Sequence, residues 1–405
     1  MPIQPILAAL RRHRLATLLI TMEIALACAV LCNACFLIAS RWQQMRINSG
    51  VDEAALASLT LTGYDVAHAV DLNARVLAGL RAIPGMQSAS VINAVPFGEH
   101  AGTAGITRDA AGQKFAGVVD FYVGGPGSFT ALGLKVVAGR APMAQDYQQP
   151  VHSFVPDEAS VLVTRALAEH LWPGVDPLGQ QFWVDKFHFR VSGMVAHLAR
   201  PNGGEGGPTT IQWSVFVPAQ PGAHLSGVYL LRADPAQLPR VLRDARAAMA
   251  KIAPDAVVDS KNSQTLVELR SRYFRADRAM SGILLGVIAA LLLVTALGIV
   301  GLASFWVQQR TRQIGIRRAL GATRGDILRY FQTENFLIVS FGIALGMLLA
   351  FALNLLLMTH YELPRLPLVY LPIGAAALWL LGQLAVLGPA LRAAAVPPVV
   401  ATRSV

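Results

Sequence analysis

Residues 308–330, QQRTRQIGIRRALGATRGDILRY, separate two long apolar segments and decide how the rest of the chain is arranged. Six residues of this stretch are arginine and one, Asp326, is acidic, so its net charge is +5. Short basic loops beside apolar segments stay on the cytoplasmic side of a membrane, whereas the apolar segments cross it. The stretch therefore predicts a membrane protein and fixes the direction in which each apolar segment crosses.

The composition of the whole chain agrees with this interpretation. The 405 residues have a mean hydropathy of +0.47, and only 14% of them are charged, which is typical of a membrane protein. Four segments are long and apolar enough to be transmembrane helices. These helices are predicted over residues 15–40, 280–307, 336–358 and 368–391. The remaining short segments are a cytoplasmic head (1–14), a cytoplasmic loop (308–335), an external link (359–367) and a cytoplasmic tail (392–405).

The first apolar segment has an alternative interpretation as a signal peptide, because a basic head precedes it. It is about 25 residues long, which exceeds a usual signal-peptide core. It also ends at Arg41 and Trp42 without a clean small-residue cleavage site. We therefore expect an uncleaved helix whose N-terminus lies inside the cell.

The large polar region, residues 41–279, is predicted to be an α+β domain inserted between transmembrane helices 1 and 2, with stalk helices at both ends. Thr164 is expected to be the N-cap of a helix. Helices are predicted over residues 72–83, 164–171, 235–252 and 262–279, the last running straight into the second transmembrane helix. Strands are predicted over residues 89–95, 159–163, 181–184, 187–195, 211–217 and 228–232, and a flexible loop over 201–208.

Charge and motifs exclude several classes of function for this domain. Residues 42–279 carry 21 basic and 20 acidic residues, which argues against a nucleic-acid-binding face. The surplus positive charge flanks the apolar segments, where it serves topology and contact with membrane lipid. The sequence has no phosphate-binding G-x-x-x-x-G-K-[ST] loop, no H-E-x-x-H motif and no nucleophile elbow. We therefore predict no enzyme, and no catalytic, cofactor or metal site in this chain.

Several strings together resemble the MacB-type permeases of the FtsX-like ABC transporter family. The sharpest are RQIGIRRALGAT (312–323) and FQTENFLI (331–338), and the end of the chain (388–405) is also similar. The polar region contributes FTALGLKVVAGR (129–140), VLVTRALAEHLWPGVDPLGQ (161–180), VSGMVAHLAR (191–200) and VFVPAQ (215–220). Each string is weak alone, but their order resembles the family along nearly the whole chain.

The resemblance implies a permease in the bacterial inner membrane that works as a dimer, with a second copy or a similar permease. In the MacB branch an ATPase is fused before the first helix, and only residues 1–14 occupy that place here. A separate ABC ATPase subunit, binding ATP and Mg²⁺, is therefore expected, and a periplasmic adaptor and outer-membrane channel are optional further partners. The implied function is ATP-driven efflux of peptides or hydrophobic antibiotics by mechanotransmission. The alternative is a non-exporting mechanotransmitter that regulates cell-wall hydrolases or extracts lipoproteins.

The basic loop contains the candidate contact with the ATPase. Ile314, Ile316 and Leu320 are expected to form one apolar face of a short helix, and Gly321 is expected to end it. Such a helix suits a groove on a soluble partner, and it also suits the surface of a membrane. The resemblance favours the ATPase contact. The candidate coupling residues are Arg312, Ile314, Gly315, Ile316, Arg317, Arg318, Leu320 and Gly321.

Four further residues are candidates for packing or polar contacts between transmembrane helices. Gly342 and Gly346 have the G-x-x-x-G spacing that lets two helices approach closely. Glu334, at the start of the third transmembrane helix, is expected to pair with a nearby arginine or to cap a helix. Glu23 lies inside the first helix, where it either makes a polar contact at a helix interface or remains solvated near the cytoplasmic end.

Overall fold

The structure is a computed structural model that describes residues 14–98, 102–150, 155–201, 210–361 and 365–396. These residues fall into two compact units. The membrane unit contains the chain up to Met45 and again from Asp277 onward. The polar unit is Arg46–Ala276.

The described helices and strands alternate irregularly along the chain. In chain order the α-helices are α1 (Arg14–Met45), α2 (Ala69–Arg81), α3 (Ser128–Leu132), α4 (Arg165–Leu171), α5 (Leu238–Ile252), α6 (Leu266–Tyr273), α7 (Arg275–Gln309), α8 (Thr311–Ala319), α9 (Arg324–Tyr361) and α10 (Tyr370–Ala395). The strands are β1 (Leu56–Thr62), β2 (Met86–Val91), β3 (Gly102–Thr107), β4 (Phe115–Gly124), β5 (Val136–Gly139), β6 (Glu158–Thr164), β7 (Gln181–Val184), β8 (Phe187–Val195), β9 (Ser214–Pro218), β10 (Val228–Ala233) and β11 (Val257–Val258).

Among the described residues, four helices are long and apolar enough to cross a membrane: α1, α7, α9 and α10. Helix α9 packs closely against α1 because glycine occupies the contact positions. A Cβ atom added at Gly346 would lie 2.6 Å from the carbonyl oxygen of Ala25 and 2.5 Å from the Cβ of Cys28. One added at Gly342 would lie 2.8 Å from the side chain of Ile24. The G-x-x-x-G pair thus lies in this helix contact, and the small residues on α1 complete it.

The polar unit contains two β-sheets of different character. The smaller is antiparallel, with strand order β11-β1-β10-β2. Leu72 and Val76 of α2 and Val241 of α5 are buried in the same hydrophobic core as Leu59 of β1. One face of each helix packs on one face of the sheet in this core. This explains the amphipathic pattern of α2 and α5.

The larger sheet is built from chain segments between β2 and β10, so it is inserted in sequence within the smaller sheet. Its strand order is β5-β8-β6-β9-β4-β3-β7, and β7 also pairs with β8. This extra pairing closes six strands into a ring, leaving β5 outside. Strands β4 and β9, and β6 and β8, pair in parallel, and the other pairs are antiparallel. The unit is therefore α+β, as the sequence predicts.

Most of the predicted elements of the polar unit are present, with two informative differences. Thr164 is the N-cap residue of α4, but its hydroxyl donates to the carbonyl of Gln212 and does not cap the helix. The helix predicted over residues 262–279 is wrong as a single element. Thr265 and Glu268 form a capping box that starts α6, and the chain breaks at Phe274 before α7 begins. Residues 202–209, most of the predicted flexible loop, lie outside the described residues.

A buried ion pair connects the larger sheet to the segment before that loop. Arg200 donates to the carboxylate of Asp120 on β4 over 2.8 Å, and both side chains are almost inaccessible to solvent. Thr103 on β3 donates to the same carboxylate. Burial of the ring of Tyr122 raises the pKa of its hydroxyl well above its usual value, and this hydroxyl donates to the carbonyl of Ala199. The start of the loop is thereby tied to the centre of the sheet.

The close contact of α9 with α1 gives a first prediction. Gly346→Ala should destabilise the membrane unit by about 1–3 kcal/mol, because the added methyl group overlaps the backbone of α1. Gly301→Ala on α7 is the matched control, since a Cβ there has nothing within 4 Å. Thermal unfolding in detergent measures both. Equal melting temperatures for the two variants would contradict the packing described here.

A second prediction concerns acid stability of the polar unit. Hydrogen bonds from Arg140, and secondarily from the backbone N–H of Met143, lower the pKa of Asp146 although burial opposes this. A lowered folded-state pKa gives stability that is present above the unfolded-state pKa of about 4 and lost as the pH falls through the folded-state value. Asp146→Asn should therefore flatten the fall of the melting temperature with pH below about 4.

Asp255→Asn is the control for this titration. Asp255 is about half exposed and lies 3.4 Å from Arg75, so its ion pair contributes little. This variant should keep the acid sensitivity of the unsubstituted chain. If the melting temperature of Asp146→Asn falls with pH as steeply as that of the unsubstituted chain, the pair of Arg140 and Asp146 does not determine the stability of the unit in acid.

Candidate functional site

The candidate coupling site is the short helix α8 with the turns that bound it. The helix ends at a Schellman motif centred on Gly321, whose φ of 100° is disfavoured for residues with a side chain. The N–H of Gly321 donates to the carbonyl of Arg318 over 3.2 Å, and that of Ala322 donates to the carbonyl of Arg317 over 3.0 Å. Gly321 thus ends the helix, as predicted.

The next helix, α9, starts immediately with a capping box. The hydroxyl of Thr323 accepts from the N–H of Asp326 at 3.2 Å, and the carboxylate of Asp326 accepts from the N–H of Thr323 at 3.0 Å. The turn between α8 and α9 is therefore fixed by hydrogen bonds on both sides. The Thr-x-x-Asp spacing is the sequence signal that could have predicted this cap.

One side of α8 is packed against the membrane unit. Ile314 is 5% exposed and lies in a cluster with Ile327 and Phe331 of α9 and Ala393 of α10. Gly315 is also buried. The guanidinium of Arg318 donates to two carbonyls at the end of α10, those of Ala394 (3.0 Å) and Val396 (2.9 Å). Since these carbonyls lack helical partners, Arg318 acts as a C-terminal cap for α10.

The other side of α8 is open. Ile316 is 47% exposed and Leu320 is 83% exposed, and they lie four residues apart on one helical stripe with the exposed Arg312. We call Arg312, Ile316 and Leu320 the outer stripe. The structure thus divides the single apolar face expected from the sequence. Ile314 faces inward because residues two apart in a helix point in nearly opposite directions.

A buried ion pair connects the start of α8 to α9. Arg310 donates to both carboxylate oxygens of Glu334, over 3.0 and 2.9 Å, and Glu334 is only 1% exposed. The guanidinium also lies 5.4 Å from the ring of Trp306. Of the two roles expected for Glu334, the structure shows the arginine pair. Our site prediction did not single out Arg310, although a carboxylate in an apolar helix signals that a cation must be near.

Glu23 lies at a contact between α1 and α7. A Cβ added at Gly298 would lie 2.9 Å from its Oε2 atom, so the carboxylate packs directly against this glycine. The other oxygen, Oε1, is buried and has no hydrogen-bond partner among the described residues. The geometry supports a helix-interface position for Glu23. It is not part of the α8 site.

The described residues contain no group of three His, Cys, Asp or Glu side chains that could hold a metal ion. The three cysteines are free thiols on α1. Cys28 packs in the contact with α9, where its thiol is 3.9 Å from the carbonyl of Ile343. The candidate site consists of buried anchors on one side of a short helix and an open stripe on the other.

Four long apolar helices, a basic loop between two of them and a polar unit with two sheets define a multi-pass membrane protein with a large polar domain. Comparison with known families agrees. Residues 37–248 match the MacB-like periplasmic core domain, and residues 285–398 match the FtsX-like permease C-terminal domain. The chain belongs to the MacB-type, FtsX-like permeases of ABC transporters.

Individual relatives cover only part of the chain. A macrolide export ATP-binding/permease protein MacB from Azoarcus sp. (strain BH72) is 34% identical over 58% of this chain and 36% of its own length. A pyoverdine export ATP-binding/permease protein PvdT from Pseudomonas putida is 29% identical over 48% of this chain and 31% of its own length. The chain thus spans about a third of these relatives. The periplasmic region of MacB from Actinobacillus actinomycetemcomitans aligns with 53% of this chain and 93% of that region, at 14% identity and a TM-score of 0.35.

The buried pair gives a prediction for the site. Arg310→Gln and Glu334→Gln should each destabilise the membrane unit by about 3–5 kcal/mol, because each leaves one buried charge without its partner. The double variant should lose clearly less than the sum of the two, because both charges are then removed. Thermal unfolding in detergent of the unsubstituted chain, the two single variants and the double variant measures these losses. Strict additivity would mean that the two groups do not stabilise each other.

Proposed function

We propose that this chain is the permease subunit of an ABC-type efflux complex in the inner membrane. The family membership supports a permease, and the relatives named above are export proteins. In this proposal the polar region, 41–279, is inserted between membrane helices 1 and 2 and lies in the periplasm, while α8 faces the cytoplasm. The net charge of +5 in residues 308–330 supports that orientation.

The observation that carries the mechanism is the two-sided helix α8. The outer stripe offers an apolar surface with an arginine to a soluble partner, which suits docking into a groove of an ABC ATPase subunit. ATP and Mg²⁺ would be bound by that partner. On the inner side, Ile314 and Arg318 hold α8 to α9 and α10, so a displacement of α8 must displace these helices as well.

The displacement has a continuous route onward through packed helices. Helix α9 contacts α1 through Gly342 and Gly346, and α1 leads directly into the polar region. Closely packed helices move as bodies because their interiors resist compression. We therefore propose mechanotransmission: movement driven by the ATPase is transmitted to the periplasmic domain.

The complete assembly is also a proposal. A second copy of this chain or a similar permease would complete the dimer, and a periplasmic adaptor with an outer-membrane channel would extend the export route. Hydrophobic antibiotics or peptides are the proposed substrates. The word macrolide in the name of the Azoarcus relative supports the first of these classes.

The outer stripe provides the test. Ile316→Asp should abolish co-purification of the ATPase and resistance to the exported compound, because a charge replaces the apolar centre of the contact. Gly325→Asp is the matched control. It adds the same charge at an exposed position in the first turn of α9, where an acidic residue favours the helix. Pull-down and growth assays on both variants measure the effect.

A further variant separates this contact from a helix that merely lies on lipid. Ile316→Trp should also weaken the ATPase contact, because the larger ring does not fit a groove shaped for isoleucine. A membrane-surface helix would bind lipid at least as well with tryptophan at this position. Full ATPase binding by Ile316→Asp and Ile316→Trp would remove the basis of the proposal.

A further inference from the structure

Two pockets lie beside the basic loop and share one lining residue, Phe331. The first has a mainly apolar lining from α1, α7, α9 and α10, including Ile20, Ile299, Leu302 and Ile338. The second is more polar and is lined by Arg310, Gln313, Arg317 and Tyr330. We call the two pockets together the groove, which has an apolar end and a basic end.

The apolar end contains a buried hydrogen-bond donor that lacks an acceptor. Trp306 is only 4% exposed and lines this pocket. Its indole Nε1 has no hydrogen-bond partner among the described residues. Buried indole N–H groups usually find an acceptor, because leaving one unpaired costs free energy. The pocket is therefore suited to a ligand that brings an acceptor oxygen into an apolar site.

The basic end keeps a positive charge after its internal pairing. Glu334 neutralises Arg310, with which it shares two hydrogen bonds. Arg317 lies over the ring of Tyr330, 4.9 Å from its centroid, and this contact leaves its charge in place. The groove thus favours a ligand that carries a negative charge next to its acceptor oxygen.

The position of the groove along the helices identifies the kind of ligand. Ile20 is six residues from Arg14, or about 9 Å along a helix, and Trp306 is one helical turn from Arg310. This depth is close to the membrane surface, where the ester groups of phospholipids lie between their acyl chains and their headgroups. Basic pockets between membrane helices on the cytoplasmic side bind the headgroups of anionic lipids.

We propose that this groove binds one anionic phospholipid from the adjoining leaflet. An acyl chain packs along the apolar lining, an ester carbonyl accepts from Trp306 Nε1, and the phosphate lies against Arg317 and Gln313. The proposal rests on the membrane placement of the four long helices. It does not rest on the ATPase contact, since no residue of the outer stripe lines either pocket.

The test measures lipid retention by the full chain. The protein is reconstituted in vesicles of phosphatidylcholine and phosphatidylglycerol, extracted in mild detergent and examined by native mass spectrometry. The unsubstituted chain should retain one phosphatidylglycerol in preference to phosphatidylcholine. Arg317→Gln should weaken this retention about fivefold, the effect expected for one basic residue at an anionic membrane surface. Arg312→Gln, the same change on the outer stripe, should leave it unchanged.

Trp306→Phe tests the apolar end. It should weaken retention of both lipids about fivefold, because it removes one hydrogen bond and keeps most of the packing. If this variant does not fold, Gln313→Ala tests the same retention at the phosphate, and it should weaken both lipids because both carry a phosphate. Ile316→Trp adds no charge beside Gln313 and should retain lipid normally even where it loses the ATPase, so failure of one proposal is distinguishable from failure of the other.

Three results would overturn the proposal. Equal losses in Arg317→Gln and Arg312→Gln would show diffuse attraction to the charged loop. Retention of phosphatidylcholine as strong as that of phosphatidylglycerol would show no anionic selectivity. Binding of inorganic phosphate to the lipid-free protein, lost in Arg317→Gln, with no lipid retained, would assign the groove to a soluble anion.

Discussion

The pairing of Arg310 with Glu334 is the interaction on which the arrangement of the basic loop depends. A carboxylate on an apolar helix is costly to bury, and a single cation with good geometry offsets much of that cost. Because Arg310 directly follows α7 and Glu334 lies on α9, the pair brings the start of the loop against the third long helix. Helix α8 then has a defined place, and its inner side can pack while its outer side stays open.

Four of the six arginines of the loop contribute to this arrangement in different ways. Arg310 is neutralised by Glu334, and Arg318 satisfies carbonyls at the end of α10. Arg317 lies against an aromatic ring, and Arg312 is exposed on the outer stripe. The net charge that marks topology in the sequence is thus larger than the charge left available at the surface. An apolar stripe edged by one arginine remains exposed.

Features of the fold and site that depend on a short stretch of sequence could be predicted. Contacts between residues far apart in the chain could not. The long helices follow from apolar length, the end of α8 from Gly321, and the close helix contact from Gly342 and Gly346. The partner of Glu334 was one of several nearby arginines, and nothing in the sequence selects Arg310. The prediction that Ile314 and Ile316 share one apolar face was wrong, because isoleucines two residues apart lie on nearly opposite sides of a helix. The ring formed by β7 and β8 in the polar unit depends on pairings that no local pattern encodes.

Contacts on the inner side of α8 affect the position of its exposed side, because the helix moves as one rigid element. A nine-residue helix is too short to be stable alone, so its shape and position depend on the inner contacts of Ile314 and Arg318. Whatever occupies the groove beside Arg317 therefore also influences how the outer stripe is presented. A lipid in the groove and a protein on the outer stripe would be thermodynamically linked, each altering the affinity for the other by the same factor. Such linkage would make the response of the permease to its ATPase depend on the composition of the membrane.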